Sequence, residues 1–75
     1  MRKQTESTEP VYRVTEVIGT SSKSWEDAAK NAVETAAATL RDLRIAEVVK
    51  MDMKLEGGKV KAYRTRVLLS FKYGS

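Results

Sequence analysis

The stretch RIAEVVKMDMKLEGGKVKAYRTRVLLSFKY, residues 44–73, decides the fold. It reads as two long strands around a glycine turn. Arg44 to Leu55 is rich in β-branched and long apolar residues, with Ile45, Val49, Met51, Met53 and Leu55 assigned to one face and Glu47 interrupting them. Ala46 and Val48, then Lys50, Asp52 and Lys54, fall on the other. Glu56-Gly57-Gly58-Lys59 is a hairpin turn, because adjacent glycines tolerate positive φ. Val60 to Tyr73 is the returning strand. Tyr63, Val67, Leu69, Phe71 and Tyr73 form its apolar face, and Arg64, Arg66, Ser70 and Lys72 most of its polar face.

Working outward, Trp25, Ala28, Ala29, Ala32, Val33, Ala36, Leu40 and Leu43 recur at three- and four-residue steps. The spacing predicts a helix from Trp25 to Leu43. Ser24 is its expected N-cap and Asp27, three residues on, completes a capping-box pattern. The apolar stripe is mostly alanine, so the helix can lie close to whatever covers it. Upstream, Val11 to Ser21 reads as another strand, with Gly19 marking a bend or a close backbone approach. Residues 1–10 are polar and read as a disordered arm closed by Glu9-Pro10; the folded domain is expected over 11–73. The order is β-α-β-β, an α+β fold with a three-stranded antiparallel sheet wrapped on one helix.

Length limits what such a chain does alone. A domain of 75 residues is marginal as a monomer. Disulfides are excluded because cysteine is absent, and the common zinc sites are disfavoured because histidine is absent too. The returning strand, about 46 Å long, overhangs a helix of about 28 Å. The overhang still alternates apolar and polar residues, so sister subunits are expected to cover it. Catalysis is not expected: without histidine, acid–base work needs a strongly shifted carboxylate or lysine, and no cluster forces one. The chain is moderately basic, with 14 Lys and Arg against 10 Asp and Glu. These charges are mixed and do not demand nucleic acid. No signal-peptide core or membrane-length apolar run is visible, so a cytoplasmic location is expected and neither a membrane nor a nucleic-acid partner is.

Several residues are candidates for binding. Arg44, Arg64 and Arg66 are expected to converge on neighbouring strands, either as an anion site or in salt bridges with Glu16 and Glu47. Glu47, Asp52 and Glu56 are weak candidate oxygen ligands for calcium, without the loop pattern that makes such a site specific. Trp25 is either a stacking platform or a core residue closing the first helical turn, and the spacing to Ala28 and Ala29 favours the core. An RNA-binding sheet is a competing reading of Lys61, Tyr63, Arg64, Arg66 and Phe71, but it needs a second helix and a fourth strand.

Val11-Tyr12-Arg13-Val14, Gly19-Thr20-Ser21, Ser24-Trp25-Glu26-Asp27-Ala28-Ala29, Ala46-Glu47-Val48-Val49 and Ser70-Phe71-Lys72 together resemble the dodecins. That resemblance implies a hollow dodecamer that stores or sequesters a small ligand between subunits and performs no turnover. It implies two cofactor classes: a flavin (FMN, riboflavin or FAD) and, in one branch, calcium. Flavin-binding members carry a tryptophan where this chain has Ile45 and a glutamine where it has Arg64. The first change removes the aromatic plane on which a flavin stacks; the second replaces a donor–acceptor amide by a pure donor. The positions matching or near the family's pocket are Ile45, Arg64, Arg44 and Arg66. A calcium- or anion-binding cage without flavin is the alternative.

Overall fold

The computed structural model describes residues 9–72. Strand β1 (Tyr12–Ser21), helix α1 (Trp25–Ala37), strand β2 (Leu43–Glu56) and strand β3 (Lys59–Lys72) follow in the expected order. β3 is central and antiparallel to both neighbours, giving the order β1-β3-β2. Residues 1–8 of the expected arm, and Tyr73 at the end of the expected strand, lie outside the described residues. The hairpin turns where expected, with φ of 60° at Gly57 and 77° at Gly58, the geometry of a tight two-residue hairpin loop.

The helix is held against the first and third strands by residues that sequence spacing had singled out. Gly19 is where it crosses β1. A Cβ placed there would lie 2.0 Å from the Ala28 carbonyl oxygen and 2.9 Å from the Ala32 Cβ. Only glycine permits that approach to the Ala28 backbone, and the small Ala32 side chain sits beside it. Ala28, Ala32, Val67 and Leu69 are buried, with Val17, Ala29, Val33, Ala36 and Leu43 packed around them. An isolated helix of 13 residues is marginal in water, so this contact carries its stability. Asn31 Nδ2 donates to the Thr20 carbonyl at 3.0 Å, fixing the helix along the strand edge.

The N-terminus is capped as expected in one half only. Asp27 N donates to Ser24 Oγ at 3.0 Å. The Asp27 carboxylate accepts from Ser21 Oγ at 2.7 Å, tying the cap to the end of β1. The helix ends at Ala37, six residues short of the expected Leu43. Ala38 to Leu40 form a turn, Asp42 takes φ of 58°, and Leu43 opens β2. Leu43 does pack on the core as its spacing suggested, but from a strand.

The faces of β2 also differ from simple alternation. Its register against β3 shifts between Leu43 and Ile45, between Val48 and Lys50, and between Lys54 and Leu55. Cross-strand partners share a face, and each inserted residue reverses the parity that follows it. Ala46, Val48, Met51 and Met53 pair with Leu69, Val67, Thr65 and Tyr63, so they face the helix side. Ile45, Glu47, Lys50 and Asp52 pair with Ser70, Leu68, Arg66 and Arg64 and face away. Ile45 and Met51 are therefore on opposite faces, not on the shared face expected from counting.

Candidate functional site

The outward face of the sheet carries the charged candidates. Arg64 Nε and one terminal nitrogen donate to the two oxygens of Asp52 at 2.7 and 3.0 Å, a forked pair across β3 and β2. The Arg64 hydrogen bond holds the Asp52 carboxyl below its ordinary range. Partial loss of water opposes this, and the charges of Arg64, Lys50 and Arg66 reinforce it. The same hydrogen bond and charge hold Arg64 above the ordinary guanidinium value. Arg66 donates to Glu16 Oε2 at 3.2 Å across β3 and β1, the salt bridge expected for Glu16. Glu47 instead stands opposite Leu68.

Arg44 does not join this cluster. It occupies the register shift beside Ile45, near Ser70 and Phe71, about 15 Å along the strand from Arg66. Its nearest carboxylate is that of Asp42, at 4.0 Å, and both side chains are half exposed. Ile45, 57% exposed, projects from the outward face beside it. The four positions named from sequence thus fall into two groups within one chain: Arg44 with Ile45 at the open end of the hairpin, and Arg64 with Arg66 midway along it.

The carboxylates are also dispersed. Glu47, Asp52 and Glu56 sit opposite Leu68, Arg64 and Lys59, spread along β2. Glu56 pairs with Lys61 at 3.4 Å. No three acidic, histidine or cysteine side chains gather among the described residues. The described residues of a single chain therefore present no calcium ligand set, and Asp52 is already engaged by Arg64.

Trp25 closes the first helical turn against the sheet, half-buried and outside the buried core cluster. Its ring meets Tyr63 edge to face at 5.1 Å, and its indole N–H donates to the Asp52 carbonyl at 3.0 Å. Thr65 Oγ1 donates to the Trp25 carbonyl at 2.9 Å. Beside it lies an open, mainly apolar hollow of about 450 Å³, lined by Trp25, Glu26, Ala29, Val48, Met51 and Thr65. Sequence reading missed both this hollow and the Asp52–Arg64 pair. Counting back from the glycine turn sets Asp52 opposite Tyr63; the shift near Leu55 moves it to Arg64.

The RNA-binding alternative loses its surface. Tyr63 faces Trp25, Phe71 shares that inward face, and neither a second helix nor a fourth strand occurs among the described residues. Nor is any helix there long and apolar enough to cross a membrane.

Comparison with known proteins agrees with this geometry. The Dodecin family model matches residues 11–74. Calcium dodecin of Mycobacterium tuberculosis is 42% identical over 62 residues, covering 83% of this chain and 87% of that protein. Its crystal structure, described as that of a calcium-chelating antigen with a calcium-binding site, superposes with a TM-score of 0.75 over 83% of this chain and 89% of that one. The dodecin of Streptomyces coelicolor is 36% identical, with a TM-score of 0.84 over 92% of this chain and 99% of that chain. By sequence and by fold together, the chain belongs to the dodecin family.

Proposed function

We propose that this protein is the protomer of a hollow, twelve-membered shell that holds a small ligand between copies and performs no chemistry on it. One observation carries the reading: the helix covers β1 and β3 and leaves the inward face of β2 beyond Leu43 largely bare. Val48, Met51 and Met53 are each about half exposed although they point to the side where the core lies. Sister copies are the covering that suits a surface built this way.

The ligand position we assign first is the Arg44–Ile45 end. It offers an apolar side chain beside a half-exposed guanidinium, suited to a flat or anionic molecule completed by a second copy. Arg64 and Arg66 are secondary, because Asp52 and Glu16 already hold them. Stacking of a flavin at position 45 does not fit an aliphatic side chain. A calcium-binding cage is the second reading, favoured by the 42% identical calcium dodecin. Since one chain gathers no carboxylate cluster among its described residues, that ion would need oxygens from more than one copy.

Sedimentation tests the shell. Twelve copies of the 8.4 kDa chain form a particle of about 100 kDa, and a stable monomer at micromolar concentration would refute it. Riboflavin and calcium titrations of the particle test the ligand. Riboflavin fluorescence is expected to be quenched weakly by the parent and strongly by Ile45→Trp; strong quenching by the parent would restore flavin as its ligand.

A further inference from the structure

The middle of the outward face gathers cations in a way that strand pairing alone does not favour. Lys50 of β2 stands directly opposite Arg66 of β3, and Arg64 follows Arg66 on the same face. Cross-strand partners lie about 5 Å apart, and like charges so placed repel. Arg64 is about 7 Å farther along β3. Repulsion among three cations on one small patch is relieved by an anion between them, and Asp52 supplies it. Its carboxylate takes the fork of Arg64 at 2.7 and 3.0 Å and also feels the charges of Lys50 and Arg66. Glu16 answers Arg66 from β1.

We propose that Asp52 is a specificity-determining residue: it fills the arginine fork that a phosphoryl group would take, and so keeps phosphorylated ligands off the middle of the sheet. A guanidinium fork matches carboxylate and phosphate alike, through two parallel N–H donors. Arg64 gives Asp52 the edge formed by Nε and one terminal nitrogen. A phosphoryl group that approaches the remaining donors meets the Asp52 charge at close range. Folding stability does not account for the pair. The two side chains are 40% and 43% exposed, where an ion pair contributes little. Its larger consequence is for what can reach Arg64. Without the Asp52 charge, Lys50, Arg64 and Arg66 face Glu16 alone, and the patch goes from one net positive charge to two. The inference narrows the ligand class of the proposed shell and rests on that reading only for there being a ligand. Every residue it uses belongs to one chain.

Pyrophosphate is the probe, titrated calorimetrically into the purified protein at an ionic strength of about 0.1 M, where charges beyond about 10 Å are screened. Asp52→Asn keeps the size of the side chain and removes its charge. It is expected to bind pyrophosphate on the order of tenfold more tightly than the parent. Adding Arg64→Gln to Asp52→Asn is expected to abolish that gain. Glu34→Gln makes the same change in net charge at an exposed position of the helix, on the other side of the sheet. It is expected to leave the affinity within about twofold of the parent's. An Asp52→Asn protein that binds pyrophosphate no more tightly than the parent overturns the proposal. So does a Glu34→Gln protein that gains as much, or a gain that survives Arg64→Gln. A parent that sediments as a monomer refutes the shell and leaves this comparison intact, since the patch is complete within one chain.

Discussion

Val67 and Leu69 are buried, while Met51 and Met53, on a strand hydrogen-bonded to the same β3 and facing the same side, stand half in solvent. The residue types are equally apolar. What separates them is the position of a 13-residue helix that crosses one edge of the sheet at Gly19 and stops before the other. Burial in this chain is set by which strand the helix lies on, and apolar character alone does not report it. The covered half is a small core that holds the protomer together. The bare half is exposed apolar surface.

The largest effect that would break this contrast is at the crossing. Gly19→Val puts side-chain atoms into the Ala28 carbonyl and Ala32, which only a backbone shift relieves. A loss of about 3 kcal/mol or more is expected, seen as failure to fold in circular dichroism. A normal melting curve would show that the helix can be displaced without cost.

Leu69→Ala comes next, with an expected loss of about 3 kcal/mol in denaturant unfolding at fixed protomer concentration. The matching change in the bare half, Leu55→Ala, opens no cavity in the protomer core and is expected to cost clearly less than Leu69→Ala at the same protomer concentration. Equal losses at the two sites would erase the distinction between the halves.

Ser24→Ala removes the acceptor for Asp27 N and is expected to cost about 1 kcal/mol. Its effect belongs to the covered half and should appear in the same unfolding experiment, with the particle still forming.

The smallest effect concerns the outward charges. Asp52 titrates lower in the folded chain than in the unfolded one. Its contribution is therefore complete above the unfolded carboxylate range near pH 3.9. It fades as pH falls through the lower folded value. The pair is partly solvent-exposed, so the contribution is modest. Asp52→Asn is expected to flatten the acid side of the stability profile slightly; a profile unchanged below pH 4 would show that the pair contributes nothing.

Much of the covered half was legible in the sequence because its signals are local. Gly19, the alanine stripe, Ser24 and the paired glycines each act through their own backbone or within one turn. The helix end was less legible. Ala36-Ala37-Ala38 favours continuation and Leu43 keeps the helical spacing, so only the turn at Ala38 to Leu40 and the left-handed Asp42 show where β2 takes over. The faces of β2 were misread for a different reason. Alternation assigns faces only while pairing is continuous, and three register shifts interrupt it. Ile45 was thereby placed with Met51, and Asp52 was not recognised as the partner of Arg64. The expected convergence of Arg44 with Arg64 and Arg66 failed because Arg44 lies about 15 Å along the hairpin from Arg66 and farther from Arg64.

Sequence alone determined the order of elements, the hairpin turn and the helix cap, and marked Gly19 as a bend or a close approach, since each depends on the conformational range of a few adjacent residues. Tertiary structure decided which apolar residues are buried, which charges pair and which apolar residues of β2 stay exposed. Those depend on the register of one strand against another, and a single inserted residue reverses every side chain beyond it.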